Sequence, residues 1–234
     1  MRSITATAPG LPRTPFNSPA LVRLLAQWAA DGGASAGAGT TARDSLAERL
    51  GQWLDWTDAI ALSAALNQPP TAAAGATGPG PDLPTLAQAL ALVRAEQARL
   101  ISTDPVYLQG LDSDGTADIA PYRRACQARQ RAMATAIGPL RTRLRSALAA
   151  ASPGLARLAV LDATLDAALG ERERHLLGGV VAHLEQQFRR AQQAGAAGWL
   201  ARFHQDMQGA LLAELDLRLQ PAQGLLDALA QERG

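Results

Sequence analysis

Lysine is missing from this sequence altogether: all 22 basic side chains are arginine. An all-arginine set could reflect selection for planar, bidentate contacts. The abundance of alanine, glycine and proline makes GC-rich codon usage the simpler reading. Cysteine is nearly absent too. The single Cys126 excludes an intrachain disulfide framework and fits a reducing compartment. Aromatic residues reach only 4%, so a core must rest on leucines and a few large anchors, because alanine buries little area. No apolar run approaches the roughly 18 residues of a membrane span. The opening stretch MRSITATAPGLPRTPFNSP has no apolar segment of the secretory kind. Net charge is close to zero, at +1, which speaks against a broad nucleic-acid-binding surface. A cytoplasmic protein is expected.

What is present is helical pattern. Residues 1–16, broken by Pro9, Pro12 and Pro15, read as an irregular tail. Asn17-Ser18-Pro19 is a helix start, followed by the stripe Leu21, Leu24, Leu25 and Trp28. Ser45 and Glu48 form a capping box opening a second helix, Ser45 to Leu66. Its Trp53/Trp56 arc is expected to dock on the leucines of the last helix. Leu62 and Leu66 lie off that arc, as a second apolar contact. Residues 67–84 are low-complexity and read as a flexible loop. Helix resumes after Thr85 with Leu86, Ala89, Leu90, Val93, Gln97 and Leu100, and 102–118 is a second, more polar loop.

From Pro121 an arginine-rich helix carries Tyr122, Cys126, Met133, Ile137, Leu140 and Leu144 on one face, with Gly138-Pro139 expected to kink or split it. Ser152-Pro153 starts the next, with Leu155, Leu158, Leu161, Leu165 and Leu169. Gly170 is expected to divide it from a further helix bearing Leu177, Val180, Val181, Leu184 and Phe188. After Gly195 and Gly198 comes a last long helix. Its seam of Leu212, Leu215, Leu219, Ala222, Leu226 and Leu229 marks either the central bundle helix or a pairing face. The class is all-α, a bundle of six to eight helices with two long irregular loops. Residues 17–234 form one helical domain behind the tail.

The strings ERLGQWLDWTDAIALSAAL (Glu48 to Leu66) and MQGALLAELDLRLQPAQGLLDAL (Met207 to Leu229), with LGERERHLL between them, resemble a bacterial all-helical family, domain of unknown function 3348. The resemblance brings no catalytic residues to carry over. It implies a gene neighbourhood of proteins resembling ion-driven motor stators and OmpA-like peptidoglycan binders, hence a cytoplasmic accessory to an envelope assembly.

Specific chemistries find little support. His175 and His183 are eight residues apart, about 12 Å along a helix, too far to share a metal unaided. No HExxH motif and no paired ExxH motif is present, and His204 stands alone. The stretch around Asp112, Asp114 and Gly115 resembles a calcium loop, but Pro121 takes the place of its essential glutamate. Cys126 has Arg123, Arg124 and Arg129 as neighbours, yet its face is apolar, so a buried inert thiol is the expectation. No catalytic triad spacing or phosphate-binding glycine loop stands out. No enzyme, cofactor or metal is expected.

Two candidate surfaces remain. Between Asp118 and Asp162 stand eight arginines and no acid. Arg123, Arg124, Arg131, Arg141 and Arg145 share a side of a continuous helix, and could meet nucleic acid or an anionic membrane surface. The alternative is internal pairing with acids such as Glu214, Asp216, Asp55 and Asp58. The other surface is a candidate protein interface of Leu62, Leu66, Leu212, Leu215, Leu219 and Leu226. The leading functional expectation is a scaffold or adaptor acting by helix–helix contact with a protein partner or a second copy.

Overall fold

The structure, a computed structural model, describes residues 20–31, 56–67, 82–111 and 116–232. The tail, the helix start at Ser45, Trp53, the stretch 68–81 and the loop centre 112–115 lie outside the described residues. Within them the protein is all-α. Six helices follow in order: α1 (Ala20–Asp31), α2 (Trp56–Asn67), α3 (Leu83–Ser102), α4 (Ala120–Ala151), α5 (Pro153–Ala194) and α6 (Trp199–Gln231). A single 3-10 turn, Pro105–Leu108, bridges α3 and α4.

Local chemistry sets the ends. Asp82 caps α3 by accepting from Thr85 N at 3.2 Å, with Pro84 in the first turn. The helix therefore begins just ahead of Thr85, at a capping signal that composition had hidden. Asp104 caps the 3-10 turn, and Val106 is buried there, so the segment 102–118 contributes to the core. Ser152 caps α5, accepting from Leu155 N at 3.3 Å, and is the one residue between α4 and α5. That leaves no room for anything but an antiparallel hairpin. Gly195 and Gly198 turn the chain from α5 into α6 at φ 60° and 74°, where a side chain would be strained.

Two expected breaks are not breaks. Pro139 sits inside α4 without ending it, as Pro221, across which the leucine seam was expected to run, sits inside α6. Gly170 lies in the interior of α5, which runs unbroken for 42 residues, on the order of 60 Å. A glycine costs an interior helix position only about 1 kcal/mol, less than packing along such a length supplies.

The last helix is the centre. α6 packs against α1, α3, α4 and α5, and its seam residues Leu215, Leu219, Ala222, Leu226 and Leu229 are all buried. Helix α2 packs on α5 instead. The expected docking of the Trp53/Trp56 arc on the α6 seam rests on side chains outside the described residues; the seam itself is covered by the other four helices.

The core has two parts. One holds Leu21, Tyr122, Met133, Ile137, Leu177, Phe188, Phe203 and Leu219 among others. The second holds Leu86, Leu90, Leu140, Leu144, Leu155, Ala222 and Leu229. The division falls between Ile137 and Leu140 on α4, and between Leu219 and Ala222 on α6. These are the places where Pro139 and Pro221 stand. On α5 it falls between Ala159 and Leu177, the stretch that contains Gly170.

Candidate functional site

At the level where the core divides, polar side chains take over. Arg141 on α4 forks onto Asp162 of α5 at 2.6 and 2.9 Å and reaches Asp166 at 2.8 Å. Arg145, one turn on, bonds the same two carboxylates at 2.6 and 2.7 Å. Burial pushes the Asp162 carboxyl up, but the hydrogen bonds and charges of Arg141 and Arg145 outweigh it and hold it below the usual carboxylate range. On the α6 side, Glu214 is 0% exposed. It accepts from Arg218 Nε at 2.8 Å and from Gln130 Nε2 at 2.9 Å, and Gln130 also donates to Leu177 O at 2.9 Å. Glu173 lies 3.8 Å from Arg218. A buried carboxylate with fewer donors would be costly.

This polar level opens to the surface as a cleft of about 510 Å³ between α4, α5 and α6. Its floor is small: Ala134 and Gly138 from α4, Ala163, Ala167 and Gly170 from α5, beside Pro221 of α6. Its rim is charged, with Arg141, Arg145, Arg174 and Arg218 against Asp166 and Glu173. A second depression of about 400 Å³ shares Ala134, Arg174 and Arg218 with it and adds Arg131, Gln127 and Gln130. An arginine and amide lining recognises negative charge and planar oxyanions.

The candidate arginines are therefore split. Arg123 is paired with Glu185, and Arg141 and Arg145 with Asp162 and Asp166. The stripe is not the open basic face that the sequence pattern offers, and its partners differ from those expected. Glu214 holds Arg218, and Asp216 pairs with Arg94. Arg124 is exposed, its Nε 3.4 Å from Ala120 O. Arg131 is exposed on the depression. Sequence reasoning missed Arg174 and Arg218. It also missed a readable signal: arginines four apart before Ser152 and aspartates four apart after it, at comparable distances along a tight hairpin.

The candidate interface splits as well. Leu215, Leu219 and Leu226 are buried in this chain's own core, and Leu212 is half-buried. The seam is the bundle's interior and presents no pairing face. Leu62 is half-buried and Leu66 is 53% exposed.

The remaining candidates take quiet positions. His175 is exposed, His183 Nδ1 donates to Gly179 O at 2.8 Å, and His204 shares a 2.9 Å hydrogen bond with the Tyr122 hydroxyl. Among the described residues, no three His, Cys, Asp or Glu side chains gather as a ligand set. Cys126 is buried, and burial followed by the Glu214 charge pushes its thiol up to about 12. The neighbouring arginines do not activate it. Among the described residues no helix is long and apolar enough to cross a membrane.

No curated protein and no solved structure matches this chain. The stretches Glu48 to Leu66 and Met207 to Leu229 both fall within residues 8–231, over which the chain matches the family described as Protein of unknown function (DUF3348), and the chain belongs to that family.

Proposed function

We propose that this protein is a non-enzymatic helical scaffold or adaptor that works through helix–helix contact, with α2 as its contact element. One observation carries the reading. Helix α2 has no continuous polar face, its Thr57, Asp58, Ser63 and Asn67 being spread round it; it rests on α5 and leaves Ile60 54% and Leu66 53% exposed. A helix without a polar face is stable only when covered on more than one side. The partner that fits is the apolar face of a helix from another protein. A cytoplasmic location, supported by the single cysteine and the opening stretch, belongs to the same reading, as does an accessory role at an envelope assembly, which rests on the family resemblance alone.

The test is a paired substitution, Ile60→Asp with Leu66→Asp. Both side chains are exposed, so the fold should survive. Partners captured from native cells by the tagged wild-type protein should be lost from the variant. A variant that keeps every partner would overturn the assignment of α2. Light scattering on both proteins shows whether the covering helix comes from a second copy.

Nucleic-acid or anionic-surface binding through residues 123–145 is the second reading. Its support is reduced to Arg124 and Arg131, since Arg123, Arg141 and Arg145 already hold carboxylates. Binding that weakens steeply with salt, and is lost when Arg124 and Arg131 become alanine, would favour it.

A further inference from the structure

We infer that the depression between α4, α5 and α6 is a binding site for a phosphoryl dianion, held by Arg131, Arg174 and Arg218. The inference is independent of the α2 reading, which concerns an apolar partner. Three observations carry it.

The first is the lining. Each helix supplies one guanidinium, with Gln127 and Gln130 between them, and no carboxylate lines the depression. Arg218 is balanced by Glu214, so Arg131 and Arg174 are the two guanidinium groups on the hollow whose charge a bound anion would meet. The second is how the three arginines are held. Arg218 is only 10% exposed and is anchored from behind by buried Glu214. Arg174 donates to Gly170 O at 3.1 Å, its own helix one turn back. Neither Arg131 nor Arg174 has an acidic partner among the described residues. This contrasts with Arg123, Arg141 and Arg145 nearby, which are satisfied by carboxylates. The third is the space. Gly178 lines the depression, and a Cβ built on it meets nothing within 4 Å. The hollow of about 400 Å³ falls in the size range of small-ligand sites. Guanidinium forks suit tetrahedral oxyanions because each presents parallel donors to two oxygens.

The probes are pyrophosphate in solution and phosphatidylcholine vesicles doped with phosphatidic acid, which present the same group from two sources. Calorimetry and vesicle co-sedimentation read binding to the full chain. Arg131→Ala and Arg174→Ala are the informative variants, because neither strands an acid. Each should weaken binding about tenfold or more, the worth of one charge-assisted hydrogen bond. Gly178→Leu fills the hollow without touching charge and should abolish binding while the protein stays folded. Arg143→Ala, an exposed arginine outside the hollow, should change nothing. Binding of either probe with this pattern supports the site and identifies the source. Binding of neither, or binding indifferent to Arg131→Ala, Arg174→Ala and Gly178→Leu, overturns it.

Discussion

Replacing Arg218 with methionine should be among the most damaging single changes on the polar level. Glu214 has no exposure to water, and its charge is met by Arg218 at 2.8 Å and by one donor from Gln130 at 2.9 Å. Methionine keeps most of the arginine stem's volume, so the loss is electrostatic. Leaving one member of a buried ion pair uncompensated costs about 3–5 kcal/mol. For a chain of this length each kcal/mol lowers Tm by about 2–4 °C, so the expected fall is about 10 °C. The converse change, Glu214→Leu, should cost only about 1 kcal/mol. Arg218 reaches the cleft and keeps Glu173 at 3.8 Å, while Gln130 keeps Leu177 O. The double variant should return close to the wild type, since an apolar pair can replace a buried ionic one at little cost. Thermal melts by circular dichroism at one salt concentration read all four corners of the cycle. An Arg218→Met melt within about 2 °C of the wild type would refute the reasoning. So would a Glu214→Leu that is worse than Arg218→Met.

Four further outcomes can be checked. The folded Asp162 carboxyl is held below its unfolded value of 3.8. Its stabilising contribution is therefore present above that pH and lost as pH falls through the folded value, and Asp162→Asn should flatten the acid limb of a Tm profile. His204 is lowered by burial below 6.5, so the same sign applies near neutrality: stability falls as pH drops below about 6.5, and His204→Gln should remove that slope. Cys126 should stay unlabelled by a thiol reagent at neutral pH in the native protein and react fully in urea; rapid native labelling would contradict its burial. Gly170→Ala should raise stability by about 0.5–1 kcal/mol, because the position is helical and a Cβ meets nothing within 4 Å; a denaturant midpoint measures it.

Much of the fold was legible because helical burial repeats every three to four residues. Tyr122, Cys126, Met133, Ile137, Leu140 and Leu144 share one face in the sequence and are all buried. So are Leu177, Val180, Val181, Leu184 and Phe188. The stripe Leu158, Leu161, Leu165 and Leu169 misled in part, being only half-buried. This is where α5 passes the cleft and the core thins. Glycine and proline were read too strongly as punctuation. Gly170 and Pro139 carry a local cost that tertiary packing absorbs, and no local pattern reports that packing. The candidate site was the least legible part. Whether an arginine is spoken for depends on which helix lies opposite, and only the hairpin at Ser152 allowed that to be worked out. The convergence of Arg131, Arg174 and Arg218 from three helices leaves no trace in spacing.

The polar level also acts as an axial ruler. Leucine seams on long helices tolerate a slide of one heptad, about 10 Å, because one leucine replaces another. The charged layer does not. Moving α5 along α4 by seven residues would bring Leu155 or Leu169 to the place of Asp162, and Ala159 or Glu173 to that of Asp166, so Arg141 and Arg145 would lose at least one of the two carboxylates they share. Moving α6 by the same step would set Met207 or Pro221 where Glu214 now meets Gln130. In a chain so dominated by interchangeable leucine and alanine, the one-residue link at Ser152 sets α4 against α5 and the ion pairs at the waist match that alignment, while Glu214 and its partners select one register of α6 from several that the apolar residues alone would accept.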